Sequence, residues 1–303
     1  MNEQPLNQQV MYDDEIDLRE LFGILWAEKW LIIGITSVAA VISVVVSLMM
    51  TEIYHAETVL AAADTDQNSS MMAQLGGAAA LLGVNVGGSN GDEISTAIAT
   101  LRSHQFISRF IEKNDLLVPL FASKWNKREK IAEVDKSVYD VNTGEWLREK
   151  GAPTNLEAYR EFLEILSVTG PDRNTGIVTV AINWHNPQEA AEWVNDLVSE
   201  LNQDIRARDV QEANNAIAFL QQQLENTQLV DMQRVFYQLI ESQTRITMLA
   251  DVRDEYVFRV IDPAVVPDQK SEPRRSLICA VGFLLGCMLA VVIITIRRYL
   301  YKR

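Results

Sequence analysis

Two long apolar runs lie near opposite ends of the chain and set its organisation. Residues 31–50 and residues 277–296 each form a twenty-residue stretch without Asp, Glu, Lys, Arg or His. About twenty residues of helix cross the roughly 30 Å apolar core of a bilayer. The pattern therefore predicts two membrane-spanning helices. The alternative, two buried core helices, is disfavoured because core helices rarely lack charge over this length.

The residues around the runs predict how the spans are oriented. Trp26, Trp30 and Tyr54 flank the first run, where amphipathic rings sit at headgroup depth. Residues 1–30 carry seven acidic residues and only two basic ones, unlike the basic start of a cleaved signal peptide, so the first run is predicted to be an uncleaved anchor. The basic end of the chain favours cytoplasmic termini, although Arg274 and Arg275 blunt the charge rule. The predicted order is a cytoplasmic segment (1–30), a first span (31–50), a periplasmic domain (51–276), a second span (277–296) and a cytoplasmic tail (297–303).

The charge and the cysteines of the predicted exported domain narrow its function. Its 226 residues contain 34 acidic and 21 basic side chains, and this net negative charge argues against a nucleic-acid partner. The chain has two cysteines, Cys279 and Cys287, and both lie in the second span. The exported domain must therefore fold by burial alone, which its length permits.

The first half of the exported domain alternates between recognisable elements and loops. Residues 53–62 are rich in β-forming residues and predict a strand, and residues 93–116 have the apolar spacing of one amphipathic helix. Six of the fourteen glycines fall within residues 74–93, around a Gly-rich loop at 76–91. No Gly-Lys-[Ser/Thr] follows them, so we interpret this segment as a mobile loop and not as a phosphate cradle. Residues 116–155 predict no definite element beyond a surface excursion, and a helix follows at 156–163.

The second half predicts a hairpin and then a very long helical region. Residues 165–184 form two β-rich runs around a Gly/Pro/Asn turn, which is typical of a hairpin. Asn186, Pro187 and Glu189 combine a capping residue, a first-turn proline and an early acid, so a helix is predicted to begin there. Residues 188–262 contain neither Gly nor Pro.

The long helical region is predicted to fold back on itself as an arm over about 187–255. One apolar face runs through Trp193, Leu197, Leu201 and Ile205, and its spacing breaks at residues 225–231. We interpret the break as a reversal between antiparallel helices, with a continuous helix containing a stutter as the alternative. A second seam with alternating spacings of three and four is predicted at Leu229, Met232, Phe236, Leu239, Gln243 and Ile246. Residues 256–262 then return as a strand. The predicted fold class is α+β: two transmembrane helices bracket a periplasmic domain with a small membrane-proximal β-sheet base and a long antiparallel helical arm.

The approach to the second span is rich in proline. Pro263, Pro267 and Pro273 lie in the segment 262–273, and proline fixes φ and biases the preceding residue towards extended backbone. This predicts a semi-rigid connection. Arg274 and Arg275 follow, and we interpret them as interface anchors on lipid phosphates, with the diphosphate of a lipid-linked substrate as the alternative.

Small residues recur every fourth position in both spans. Gly282, Gly286 and Ala290 form one stripe, and Ala39, Ser43 and Ser47 form another; helices in lipid associate by close backbone approach, which small residues permit. The two spans are therefore predicted to pack together, within or between subunits.

The sequence offers no recognisable catalytic or cofactor chemistry. The three histidines, His55, His104 and His185, lack metal-ligand spacing. The sequence contains no Gly-x-Ser-x-Gly motif and no cysteine outside the second span, so neither kind of nucleophile is present. We expect no enzyme, no metal and no cofactor. A two-span sensor is a weaker alternative, because only seven residues follow the second span and a sensor needs an output domain.

Four segments together resemble a known family. They are DEIDLRELFGILWAEKW before the first span, NPQEAAEWVNDLVSELN at the start of the long helix, VIDPAVVPDQKSEPRR before the second span, and the glycines inside that span. This ordered set is similar to the Wzz-type chain-length determinants, the polysaccharide co-polymerases of Gram-negative inner membranes, over nearly the whole chain. The proline spacing and the reduced glycine cluster GFLLG depart from the family pattern.

The resemblance implies a regulator without chemistry of its own. Such a protein sets the length of an O-antigen or a related lipid-linked glycan, beside a membrane polymerase, as a homo-oligomeric ring whose long helices line a periplasmic shell. The alternative is a co-polymerase for capsule or exopolysaccharide that works with a separately encoded tyrosine kinase.

Overall fold

The computed structural model describes residues 26, 28–63, 90–126, 131–172 and 175–301. Its contacts divide the chain into two units, one containing the two apolar helices and the other containing residues Glu52–Ser271. The second unit mixes helices with a small antiparallel sheet, so the predicted α+β class is confirmed. Most of the predicted Gly-rich loop, residues 76–91, lies outside the described residues.

The first unit is a pair of long apolar helices. Helix α1 spans Lys29–Met49 and helix α8 spans Arg275–Tyr301. Both are long and apolar enough to cross a membrane. Most of their large apolar side chains, such as Val41 and Leu284, are exposed, whereas the core helices of a water-soluble protein would bury them. The exposure favours spanning helices over buried core helices.

A four-stranded antiparallel sheet forms the base of the second unit. Its strands are β1 (Tyr54–Ala62), β6 (Leu166–Thr169), β7 (Val178–Trp184) and β8 (Phe258–Asp262), in the spatial order β6-β7-β1-β8. The predicted hairpin is confirmed, because β6 and β7 pair with Val168 opposite Val180. One face of the sheet carries the buried side chains of Ala56, Leu60, Val180 and Ile182, which belong to the main hydrophobic core.

Short helices cover the core beside the sheet. They are α2 (Asn90–Leu101), α3 (His104–Lys113) and α5 (Asn155–Ile165). The prediction of one helix over 93–116 was wrong, because Ser103 adopts an extended backbone and its side chain accepts a hydrogen bond from Phe106 N, which starts a new helix. Helix α5 begins with a capping box between Thr154 and Glu157, which satisfies two backbone N–H groups of its first turn.

Residues 116–155, where the sequence predicted no definite element, form several short ones. They are α4 (Leu117–Ala122), the pair β2 (Ser123–Asn126) and β3 (Ile131–Val134), and the pair β4 (Tyr139–Asp140) and β5 (Glu145–Trp146). Asp135 connects α4 and β2 with the turn that follows β3. Its carboxylate contacts Lys124 and Ser137, and its backbone N–H donates to Ala122 O at 2.6 Å. The hydrogen bonds that the carboxylate accepts from Lys124 and then from Ser137 lower the pKa of Asp135 to about 2.

Two antiparallel helices form the arm. Helix α6 spans Pro187–Asn226 and helix α7 spans Val230–Val252, so the predicted reversal at 225–231 is confirmed. Forty residues of helix extend about 60 Å. Arg206 reaches Arg253 O near the base, and Gln233 Nε2 donates to Thr227 O at the tip, so the two limbs stay paired along the arm.

The seam between the two limbs differs from the predicted one. Leu229, Met232 and Leu239 are 69%, 43% and 44% exposed. The more buried positions of α7 are Gln233, Phe236, Ile240, Gln243, Ile246, Thr247, Leu249 and Ala250. In the first half of α7, Gln233 and Ile240 therefore occupy the places in the seam that the apolar pattern assigned to Met232 and Leu239. Phe236, Gln243 and Ile246 belong to both sets.

Candidate functional site

The small-residue stripes of the two apolar helices face each other. A Cβ atom built on Gly282 would collide with Ser43 Cβ and lie 2.7 Å from Ser43 Oγ. A Cβ on Gly286 would lie 2.7 Å from Ala39 Cβ and 3.3 Å from Thr36 Cα. Only glycine permits this approach, since ordinary carbon–carbon contacts lie at about 3.5–4.0 Å. The structure thus brings the two predicted stripes together within one chain.

Two small polar side chains are buried in this helix pair. Thr36 and Ser47 are buried, and so are Ala290 and Ile294 on α8. Thr36 Oγ1 donates to Ile32 O at 2.8 Å, which satisfies the hydroxyl within its own helix. The interface is thus made by close backbone approach and not by an ion pair.

The predicted proline-rich segment divides between the two units. Pro263 and Pro267 belong to the sheet unit, and Pro273, which follows a cis peptide bond, belongs to the helix pair. Between them, Lys270 Nζ lies 2.8 Å from Glu52 Oε1, and Ser271 N donates to Ile53 O at 2.9 Å. The first and last residues of the sheet unit therefore lie side by side, held together by this ion pair and this hydrogen bond.

Arg274 and Arg275 lie where helix α8 begins. Arg274 O accepts hydrogen bonds from Leu277 N at 2.9 Å and Ile278 N at 3.2 Å, so Arg274 caps the helix with its backbone. A cation at a helix N-terminus opposes the helix dipole.

Two asparagines that the sequence analysis did not single out hold the returning strand. Asn195 and Asn202 lie on α6, and both hydrogen-bond through their side-chain amides to backbone groups of residues 257–264. Asn202 is only 5% exposed although it is polar. The available signal was a polar residue on the otherwise apolar inner face of a helix, but the backbone partners of the two asparagines lie 55 to 69 residues away in sequence.

The titratable groups of the described residues show no catalytic arrangement. No group of three His, Cys, Asp or Glu side chains among them could hold a metal ion. His55 Nδ1 lies 2.7 Å from Asn183 Oδ1, and His185 Nε2 lies 2.9 Å from Ser123 Oγ. Burial lowers the pKa of His185 to about 4. Burial and then the hydrogen bond to Asp209 raise the pKa of Tyr256. These are structural hydrogen bonds at the sheet and the arm base.

Helix α7 of the arm exposes apolar side chains on two opposite flanks. At 100° per residue, Met232, Val235 and Leu239 cluster on one side of its inward seam, and Val230, Tyr237 and Met248 cluster on the other. All six side chains are exposed. We call these groups the first and second arm flanks. Large apolar side chains exposed along one side of a helix are candidates for contact with another protein.

Two family models match separate parts of the chain. Residues 14–114 match the Wzz family, described as chain length determinant protein, and residues 221–299 match the GNVR family, described as a G-rich domain on a tyrosine kinase. The chain is similar to a full-length bacterial polysaccharide co-polymerase at 15% identity and a TM-score of 0.43, covering 94% of this chain and 99% of that one. It is also similar to a fragment of WzzB, a polysaccharide co-polymerase from Salmonella Typhimurium, at 16% identity and a TM-score of 0.32, covering 73% of this chain and 100% of that one. The structural similarities are too distant to carry an argument alone.

Proposed function

We propose that this chain, which belongs to the Wzz-type family of polysaccharide co-polymerases, regulates the length of a lipid-linked surface polysaccharide without catalysing a reaction itself. The observation that carries the proposal is the chain length determinant match over residues 14–114, which includes the first apolar helix and the first strand of the sheet. The glycan would be O-antigen or a related polymer, and the protein would act beside a membrane glycan polymerase.

The two apolar helices support an inner-membrane, two-pass arrangement. With two spans, both termini lie on one side of the bilayer, and the four basic residues in 297–303 favour the cytoplasm for that side. The sheet and the arm would then lie in the periplasm. Arg274 and Arg275 would meet lipid phosphates at the outer surface of the inner membrane.

The two arm flanks support a ring of identical subunits. The flanks differ in sequence and lie on opposite sides of α7, so one flank can pack on the other flank of the next subunit. Such a head-to-tail contact forms closed rings when the rotation between subunits closes. A second copy of this chain is therefore the proposed occupant of each flank.

Charged substitutions on single flanks test this ring. Leu239→Glu changes the first flank, Tyr237→Glu changes the second flank, and Gln238→Glu is the charge-matched control because Gln238 lies opposite the seam between them. In full-length protein purified in detergent, each flank variant should lose the oligomer, as measured by light scattering, and the control should keep it.

Mixing the flank variants separates a head-to-tail contact from a symmetric one. Each variant retains the flank that the other has lost, so co-expressed Leu239→Glu and Tyr237→Glu chains should form a heterodimer. If the mixture stays monomeric, or if both single variants keep the wild-type oligomer, the flanks do not form the contact between subunits.

The regulatory function is tested by deletion and complementation. Loss of the protein should replace a modal polysaccharide length with a broad distribution on gels, and plasmid-borne wild-type protein should restore the mode. An unchanged length distribution after deletion contradicts the proposal. The absence of catalysis is tested separately, by incubating the purified protein with the lipid-linked glycan, where glycosidic bond formation or cleavage would refute it.

The match to the GNVR family favours a second candidate function. A co-polymerase for capsule or exopolysaccharide could work with a separately encoded tyrosine kinase. Deletion would then alter the capsular or secreted polymer and leave lipopolysaccharide unchanged, and the effect would depend on tyrosine phosphorylation of the partner kinase.

A further inference from the structure

The inner face of α6 carries two asparagines that lie two helical turns apart. Asn195 and Asn202 are separated by seven residues, which at 100° per residue places them on nearly the same side of the helix. Both face the chain segment that returns from the arm to the sheet. We call this pair with its backbone partners the asparagine clamp.

Asn202 uses the hydrogen-bonding capacity of both its amide atoms on this segment. Its Oδ1 accepts from Val257 N at 3.0 Å and Phe258 N at 2.9 Å, and its Nδ2 donates to Phe258 O at 2.8 Å. Asn195 makes the same pair of hydrogen bonds to Ala264: its Oδ1 accepts from Ala264 N at 3.0 Å and its Nδ2 donates to Ala264 O at 2.9 Å. A side-chain amide here replaces the peptide group that a neighbouring strand would supply.

The clamp closes the outer edge of strand β8. This strand is the last in the sheet and pairs with β1 on its inner side only. Of its outer polar groups, Phe258 N and O are bonded to Asn202, and Val260 N donates to Glu255 Oε1 at 3.0 Å. Buried backbone groups need such partners, and an open edge would invite strand addition. The segment from Val257 to Ala264 is therefore fixed to helix α6 as well as to the sheet.

The clamp connects helix α6 with the segment that leads to the second span, two parts of the chain whose positions the proposed regulatory function would have to coordinate. Helix α6 is the first limb of the arm, and residues 257–264 lead from the second limb into the proline-rich segment before the second span. Beyond the clamp, Pro267 and the Lys270–Glu52 ion pair complete the connection. A tilt of α6 relative to the sheet would displace Phe258 and Ala264 with it.

We propose that Asn195 and Asn202 are positioning residues that couple the orientation of the arm to the connection entering the second spanning helix, and that this coupling sets the modal glycan length. The inference rests on the proposed regulatory function. It assigns part of that function to two side chains that touch neither glycan nor polymerase.

Asn→Asp substitutions test the clamp with little change of shape. In Asn195→Asp and Asn202→Asp, a carboxylate can still accept a hydrogen bond but cannot donate one, so it faces the carbonyl oxygen of Ala264 or Phe258. Asn214→Asp is the control, because Asn214 is exposed on the same helix and the charge change is identical. Asn195 is half-buried, so its variant is the one expected to fold most readily.

Two measurements on full-length protein are compared. Amide hydrogen exchange should become at least tenfold faster at Ala264 in Asn195→Asp, and at Phe258 in Asn202→Asp, while the β1–β7 pairs stay protected. In the deletion strain, both variants should shift the modal glycan length, and Asn214→Asp should give the wild-type mode. Ile182→Val, a core change in strand β7 that lowers stability and leaves both asparagines and their hydrogen-bond partners unchanged, should also keep the wild-type mode.

The outcomes separate this inference from the proposed function. If wild-type protein fails to restore a mode, the regulatory function itself is wrong. If wild-type protein restores the mode and Asn195→Asp restores the same mode despite faster exchange at Ala264, the clamp does not set length. Equal shifts from Ile182→Val and the clamp variants would assign the effect to stability and would also overturn the inference.

Discussion

Enlarging Gly286 should separate the two apolar helices. A new Cβ would lie 3.3 Å from Thr36 Cα and 2.7 Å from Ala39 Cβ, and the second distance is about 1 Å shorter than a normal carbon–carbon contact. Overpacking of this kind costs about 1–3 kcal/mol, or about one to two factors of ten in the packed population. Gly34→Leu is the matched control, because a Cβ at Gly34 meets no atom within 4 Å.

Disulfide formation between the helices measures this effect. The pair Ser47→Cys and Ile278→Cys continues the register of Ser43 with Gly282 and Ala39 with Gly286 and leaves both glycines in place. It is placed in a chain whose Cys279 and Cys287 are replaced by serine, so that no other thiol competes. The disulfide should form without doubling the mass on a non-reducing gel, because the contact lies within one chain. Adding Gly286→Leu should slow disulfide formation about tenfold or more, and adding Gly34→Leu should not change its rate.

Two results would refute the reasoning on the helix pair. A dimer band would show that the glycine stripe joins different subunits. An unchanged rate in the Gly286→Leu chain would show that close backbone approach at this position does not hold the helices together.

Three further predictions concern the sheet unit. Phe236→Ala should lower the free energy of unfolding by about 1–2 kcal/mol, because its ring is half-buried, whereas removing a fully buried ring costs about 3–5 kcal/mol. The control Phe219→Ala removes a side chain that is 60% exposed in the other limb and should cost under about 0.5 kcal/mol. Equal losses of stability for the two variants in urea titrations would contradict the seam. Asn186→Ala should cost about 1 kcal/mol by removing the N-cap acceptor for Gln188 N, and Asn186→Ser should recover most of it; a loss that serine does not recover argues against capping. Burial lowers the pKa of His185 from 6.5 to about 4, so the unfolded state binds the proton first and stability should fall as pH drops from about 6.5 to 4, by about 1–2 kcal/mol after allowance for solvent screening. His185→Gln should flatten that dependence and exposed His104→Gln should not, and parallel curves for both variants would exclude His185 as its source.

Local chemistry explains the parts of the fold that the sequence predicted well. The start of α6 needs only Asn186, Pro187 and Glu189, which act on neighbouring backbone groups, and the structure has the helix begin there. The reversal after Asn226 was visible as a break in apolar spacing. The small-residue stripes were visible for the same reason, since small residues every fourth position permit a close helix contact.

Long-range contacts explain what the sequence did not predict. The first half of the α7 seam was misplaced because Gln233 is more buried than Met232, and apolar spacing alone cannot distinguish an inner seam from an exposed apolar flank. The break at Ser103 depends on one side-chain hydrogen bond inside an otherwise continuous helical pattern. Asn202 was overlooked because its partners at Val257 and Phe258 lie in a strand that only the complete fold brings near.

Reconstitution tests the central claim most directly. The polymerase and its lipid-linked repeat unit are placed in proteoliposomes with or without this protein, and the glycan lengths are resolved on gels. The account predicts a broad distribution without the protein, a modal distribution with it, and no polymer when the polymerase is omitted. The same length distribution with and without the protein, or polymer made without the polymerase, would contradict it.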